Sequence, residues 1–222
     1  MITARALLFD MDGLMVDSEP LWFEVERDFA RAHGGDWTHE LAQSGIGKGL
    51  DHTLRTMRDA FGLPSDRPKH EAEIVDRFLS RAHTIAIKPG CLELLAAGRG
   101  VLPMAAASSS VGRLVRGVLE GLGLAPNFDA IVSGDDVVNP KPAPDIFLEA
   151  ARRLGIEPAG CVVLEDSLAG ATAAHAAGMH VVAVPERVTT GIEKVATIIV
   201  ADLHEARRML SFARPSQKRL PR

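Results

Sequence analysis

Short apolar runs, each closed by polar residues and separated by helical stretches, decide most of what this chain can become. Arg5-Ala6-Leu7-Leu8-Phe9-Asp10 is the first, and Val101–Ala107, Ala130–Val132, Cys161–Leu164 and His180–Val184 follow it. Ala196–Val200 is a weaker one. Helical patterns lie between them over Cys91–Arg99, Val111–Leu122, Pro144–Leu154, Leu168–Ala177 and Leu203–Phe212, with Gly123, Gly155 and Gly178 where helix C-caps belong. Strands apolar throughout and alternating with helices predict an α/β fold, a Rossmann-like parallel sheet covered on both faces.

One stretch interrupts the alternation. Between Asp17 and Ala86 the pattern predicts helices and no strand. Ser18 is placed to N-cap a helix with Pro20 in its first turn, followed by Leu21, Val25, Phe29 and Ala32 at helical spacing. Two further stripes run through Leu50, Leu54, Met57 and Phe61, and through Ile74, Phe78, Leu79, Ala82 and Ile85. The expected organisation is an α/β core over 1–16 and 87–213 with an inserted helical cap over 17–86.

Composition narrows the class. With 46% hydrophobic and 24% charged residues the chain is ordinary globular protein, too apolar for disorder. No apolar run approaches the ~20 residues that span a bilayer, and no signal peptide is expected before the first strand. Cys91 and Cys161 are too few for a disulfide framework or a thiolate zinc site. A cytoplasmic, monomeric protein is expected, with no nucleic-acid or membrane partner. Residues 214–222 carry Arg214, Lys218, Arg219 and Arg222 without an acid, leaving −8 on the rest of a chain of net charge −4. This basic tail follows the last apolar helix and contains Pro215 and Pro221, so a frayed terminus is expected rather than a folded basic face.

Ligands of an open parallel sheet bind at the carboxyl ends of its strands. There the chain places Asp10-Met11-Asp12-Gly13, Ser108-Ser109-Ser110, Lys141 within Asn139-Pro140-Lys141-Pro142, and Glu165-Asp166-Ser167. Carboxylates ~4 Å apart repel by about 4 kcal/mol per pair at an effective dielectric of 20, so a cation is needed among them. Hard oxygen donors with no Cys or His in the set point to Mg²⁺.

Taken singly these pieces are common; together, at successive strand ends and in this order, they are not. Asp10 to Glu19 resembles the opening motif of the haloacid dehalogenase-like superfamily of hydrolases. Ser108, Lys141 with Pro142-Ala143-Pro144-Asp145, and Glu165 to Gly170 are similar to its other three motifs. The Asp17-Ser18-Glu19-Pro20-Leu21-Trp22 version resembles the branch that holds sugar-phosphate phosphatases and β-phosphoglucomutases. The resemblance implies a Mg²⁺-dependent phosphatase acting on a small phosphorylated metabolite, a sugar or polyol phosphate, through an aspartyl-phosphate. Asp10 is then the nucleophile and Asp12 the general acid and base. Ser108 and Lys141, with the backbone N–H groups of Asp12 and Ser109, take the phosphoryl oxygens. The family's metal set maps to Asp10, the carbonyl of Asp12, and Asp166. Glu165 is either a water-mediated ligand or an orienting group.

Substrate choice is expected from the cap. The loop Ser44-Gly45-Ile46-Gly47-Lys48-Gly49 resembles the family's specificity loop, and Lys48 is its candidate substrate contact, with His52 and Arg55 behind it. A phosphohexomutase is the alternative function, but mutases of this branch carry a cap-hinge His where this chain has Trp22. Trp22 and Trp37 are expected to pack within the cap.

Overall fold

A computed structural model describes residues 1–43 and 50–212. Lys48 and its glycine-rich loop, and the basic tail, lie outside the described residues. In chain order the elements are β1 (Ile2–Ala4), β2 (Ala6–Phe9), β3 (Val16–Asp17), α1 (Glu19–Ala32), α2 (His39–Gln43), α3 (Leu50–Phe61), α4 (Arg67–Arg81), β4 (Ala86–Ile87) and α5 (Cys91–Gly98). They continue with β5 (Met104–Ala107), α6 (Gly112–Gly121), β6 (Ala130–Val132), α7 (Asp145–Leu154), β7 (Cys161–Glu165), α8 (Leu168–Ala176), β8 (His180–Ala183), β9 (Ile198–Ile199), α9 (Leu203–Met209) and β10 (Leu210–Phe212).

The main sheet runs β6-β5-β2-β7-β8-β9, and every pairing in it is parallel. Strands β5, β2 and β7 at its centre are buried throughout, which is why they read as unbroken apolar runs. Successive residues serve opposite faces: Leu7, Phe9, Val162 and Leu164 belong to one core cluster, Ala6, Leu8, Cys161 and Val163 to the other. The first face is covered by α5, α6 and α9, the second by α7 and α8. From β2 the order steps to β5 on one side and to β7 on the other, so the crevice at the carboxyl end of β2 is the switch point where such sheets bind ligands.

Three elements depart from the sequence reading. The last helix stops at Met209 and Leu210–Phe212 turn into a strand, because β1 offers them a parallel partner, Ile2 against Leu210. Both strands are three residues long, and β1 carries an exposed Thr3, so neither shows a period of two. The insert is also not strand-free at its ends. Val16 pairs with Ile87 and Asp17 with Ala86, an antiparallel ladder where the chain leaves and re-enters the sheet domain. The second main strand begins at Met104 rather than Val101, since Pro103 has no N–H to give to a ladder.

The helices α1 to α4 lie between β3 and β4 in sequence. Trp22 stacks on Phe78 with ring centroids 4.0 Å apart, joining α1 to α4. Leu79 of α4 seats over Gly117 of α6, where any side chain would collide with it. Glu26 ties α1 to two other segments: Trp37 Nε1 donates to its Oε2 at 2.9 Å and Thr53 Oγ1 to its Oε1 at 3.1 Å. Burial, opposed by those two donors, pushes its carboxyl up to about 7. The folded state therefore binds a proton that the unfolded chain releases near its ordinary value of 4.5. Stability from this group is full below that value and is lost as pH rises through about 7. Between about pH 5 and about pH 8, urea unfolding is expected to show wild type losing about 2 kcal/mol relative to Glu26→Gln, which has no proton to lose.

Candidate active site

Asp10 follows β2 directly and its N–H donates to Leu164 O of β7 at 3.1 Å, which pins the end of the central strand. The chain then turns at Gly13, whose φ of +83° is a left-handed conformation that glycine adopts freely. The turn closes with Gly13 N–H donating to Val16 O at 2.9 Å. A Cβ on Gly13 would overlap the Asp166 carboxylate, so this glycine lets the first loop and the loop after β7 approach.

Lys141 reaches the crevice from the loop between β6 and α7. Its Nζ donates to Asp10 Oδ1, to Glu165 Oε1 at 2.7 Å and to Ala107 O at 3.2 Å. The ammonium also sits 4.9 Å from the centroid of the Phe147 ring. All three protons are thus engaged at a site where the lysine side chain is 7% exposed. Burial alone would lower the affinity of this ammonium for its proton. Asp10 and Glu165 outweigh that and hold it well above its ordinary value, so it is charged. Asp10 is pushed well up by burial, against the pull of Lys141, and then by Glu165, Asp166 and Asp12. Burial and the neighbouring Glu165 push Asp166 up to about 7.

Asp12 has a different environment, made of hydroxyls. Ser18 Oγ donates to its Oδ1 at 2.7 Å; Ser108 and Ser110 donate to Oδ2 at 3.4 and 3.2 Å. Ser18 immediately precedes α1 and makes no side-chain cap there, so its expected N-cap role is replaced by this bond. Ser108 is 2% exposed at the end of β5, and its Oγ also accepts from Ser110 N–H at 3.2 Å. Ser109, between them, has an exposed side chain.

The structure thus brings together Asp10, Asp12, Ser108, Lys141 and Glu165 by hydrogen bonds, with Asp166 against Gly13. Carboxylate oxygens of Asp10, Glu165 and Asp166 all lie within 4.8 Å of one another. An all-oxygen donor set of this charge, beside a glycine cradle, fits a hard divalent ion of the Mg²⁺ kind. Sequence reasoning missed Ser18 and Ser110, both polar residues near helix starts, where capping is the commoner use. It also missed Phe147, whose distance from Lys141 along the chain carries no signal.

The profile of the haloacid dehalogenase-like hydrolases matches residues 4–178. The chain belongs to that family. Among its relatives, hexitol phosphatase B of Escherichia coli K12 is 36% identical over 191 residues, covering 81% of this chain and 83% of that protein. Fructose-1-phosphate phosphatase YqaB of the same organism is 33% identical over 191 residues, covering 79% and 94%. Among solved structures, β-phosphoglucomutase of Clostridium difficile superposes with a TM-score of 0.74 at 26% identity, covering 91% of this chain and 92% of that one. Among the described residues no helix is long and apolar enough to cross a membrane.

In this hydrolase, Gly13→Ala is expected to cost stability twice over, through the left-handed backbone and through displacement of Asp166. A loss on the order of 1–3 kcal/mol is expected in urea unfolding. Mg²⁺ affinity measured by calorimetry is expected to fall at least about tenfold in the same variant, because Asp166, one of the three acids whose oxygens could hold the ion, is moved from its place.

Proposed function

We propose that the enzyme, a phosphatase, hydrolyses a small sugar or polyol phosphate with Mg²⁺ and through a phosphoryl group carried on Asp10. The observation that carries this reading is the contrast between Asp10 and Asp12. One carboxyl is buried against an ammonium; the other, two residues on, is held by three hydroxyls. Two carboxyls so close and so differently surrounded suit two different proton and electron-pair tasks.

Asp10 attacks phosphorus and the phosphorus–oxygen bond to the sugar breaks. Asp12, as general acid, gives a proton to the leaving oxygen. The Asp12 carboxylate then takes a proton from water as that water attacks the phosphoryl group on Asp10. Inorganic phosphate leaves and Asp10 is restored. Ser108 and Lys141, with the N–H groups of Asp12 and Ser109, hold the equatorial oxygens, where transition-state charge spreads. Asp10, Asp166 and the carbonyl of Asp12 would hold the metal. When bound, Mg²⁺ neutralises charge on the phosphoryl oxygens and the nucleophile. The inserted helices act as a cap that excludes water and selects the ester, with Lys48 its candidate substrate contact.

Support for the ester class comes from the hexitol phosphate and fructose 1-phosphate specificities named for the two relatives. Trp22 stands at the start of the cap, stacked on Phe78, and an indole has no acid or base to offer. Water is then the acceptor from Asp10, whereas a phosphohexomutase must pass the group to a second sugar hydroxyl.

Asp10→Asn is expected to abolish turnover of a sugar phosphate. Asp12→Asn is expected to lose ~10²–10⁴-fold while still accumulating phosphorylated Asp10 from an activated ester, detected by mass spectrometry after acid quench. Full activity in Asp10→Asn sinks the mechanism. EDTA treatment is expected to remove activity and Mg²⁺ to restore it. With β-glucose 1-phosphate and a bisphosphate primer, release of inorganic phosphate is expected. Efficient formation of glucose 6-phosphate without free phosphate establishes the mutase instead.

A further inference from the structure

One carboxyl outside the crevice holds three parts of the chain together. Glu26 lies on α1, and its two oxygens accept from Trp37 Nε1 at 2.9 Å and from Thr53 Oγ1 at 3.1 Å. Trp37 stands in the loop before α2 and Thr53 near the start of α3, and both are buried. Helix α3 begins at Leu50, directly after the glycine-rich segment that contains Lys48. Helix α1 begins beside Ser18, whose hydroxyl donates to Asp12. At a rise of 1.5 Å per residue, Glu26 stands about 12 Å along the helix from Ser18. Its carboxyl thus ties the start of α3 to a helix whose own start is tied to Asp12.

Among the described residues no cation balances this acid. Arg27, the next residue, sits 5.6 Å from the centroid of the Phe23 ring, and its Nε is buried without a partner. His52 Nε2, beside Thr53, is buried and unpartnered too. Asp36, beside Trp37, does not bond to Glu26, and Asp51 pairs instead with Arg55 and Arg67. From α2, His39 stacks on Phe23. From α4, His70 packs on Phe29, Glu73 pairs with His33, and Arg81 pairs with Glu24 and Asp28. Burial and two neutral donors alone govern the protonation of Glu26.

We infer that Glu26 is a positioning residue for the substrate: its neutral carboxyl clamps Trp37 and α3 to α1, and its ionised form loosens them and weakens binding of the phosphate ester. This rests on the reading that the inserted helices select the ester. An indole N–H can only donate, so Oε2 accepts in either form and the proton of the neutral carboxyl sits on Oε1. There it faces the Thr53 hydroxyl, which accepts as well as it donates. The neutral clamp is therefore complete. The carboxylate keeps two neutral donors without a cation, and a buried charge so placed draws in water. Water between Oε1 and Thr53 frees the start of α3. The change falls near neutral pH, since burial pushes this carboxyl up to about 7.

Steady-state kinetics on the full chain with Mg²⁺ use fructose 1-phosphate and sorbitol 6-phosphate as substrates, and inorganic phosphate as a competitive inhibitor. Inorganic phosphate reports the crevice alone, since it has no sugar for the inserted helices to hold. Glu26→Gln is the neutral mimic, its oxygen accepting from Trp37 and its NH₂ donating to Thr53. Titration of the substrate and of the crevice acids is common to wild type and this variant, so the ratio of their KM values isolates Glu26. That ratio is expected near one at about pH 5.5 and about three- to tenfold higher at about pH 8.5, as for one neutral hydrogen bond. Glu26→Leu, without a clamp, is expected to exceed the wild-type KM by about the same factor at the lower pH and to match it at the higher. The kcat and the inhibition constant of phosphate are expected within about threefold of wild type throughout.

A KM ratio that stays constant across this pH range overturns the inference. A rise in the phosphate inhibition constant equal to that in KM overturns it as well, because it marks a disturbed crevice. If wild type turns over neither ester, the substrate reading fails and the inference with it; turnover with a constant ratio removes the inference alone. If circular dichroism shows that either Glu26 variant does not fold, Thr53→Val takes its place, keeping the Trp37 bond and removing the hydroxyl on α3. A KM raised at the lower pH and equal to wild type at the higher is expected there, and an unchanged KM at the lower pH overturns the inference.

Discussion

A single buried ammonium, that of Lys141, stands against the carboxylates of Asp10 and Glu165. Removing one member of such a set costs more than the set contributes, since the remaining charges are left without a partner in a poor solvent. The surrounding fold can be read as the means of bringing these groups together. Asp10 arrives on the central strand and Glu165 on the strand beside it, in register through the β2–β7 ladder. Lys141 comes from a loop between β6 and α7, with Phe147 of that helix beneath its ammonium. Parallel pairing puts strand ends on one edge of the sheet, so contributions from residues 10, 108, 141 and 165 converge although the chain separates them widely.

The second carboxyl, Asp12, depends on a different kind of support. Its three hydroxyl donors come from two places: Ser108 and Ser110 from the loop after β5, Ser18 from the residue leading into α1. The segment leading into the inserted helices therefore touches Asp12 through a hydrogen bond. Ser18 lies just past the two-residue ladder of β3 and β4, where the insert joins the sheet. A shift of α1 changes the setting of Asp12 directly.

How much of this could be read from residues alone follows from which signals are local. Five of the six strands of the main sheet were legible as short apolar runs, clearest where burial on both faces demands them, as in Leu7-Leu8-Phe9 and Val162-Val163-Leu164. The parallel sheet and its crevice then followed from alternation, and the acids at strand ends from position. Short ladders escaped, since two or three residues such as Ala86–Ile87 cannot display a period. Side-chain partnerships escaped for another reason. Nothing within the sequence around Ser18 says that its hydroxyl turns back to Asp12 rather than forward to a helix N-terminus. Glu165 is the sharpest case: its type and its place beside Asp166 say nothing of the Lys141 and Ser167 donors that meet its two oxygens. Gly170, three-dimensionally the neighbour that leaves room for that carboxylate, reads in sequence as an ordinary glycine at a helix start.

The pairing of β1 with β10 reaches from Ile2 to Leu210. Contacts so distant along the chain form late, because the loop between them must close before they contribute. During synthesis the N-terminal strand therefore waits for nearly the whole described chain to emerge. Until then its peptide groups face water or a transient partner. The central strand is only one residue beyond it, so the Rossmann-like sheet can assemble around β2 while this small outer ladder stays open. Its closing registers one end of the described fold against the other, along a small sheet separate from the one that carries the crevice.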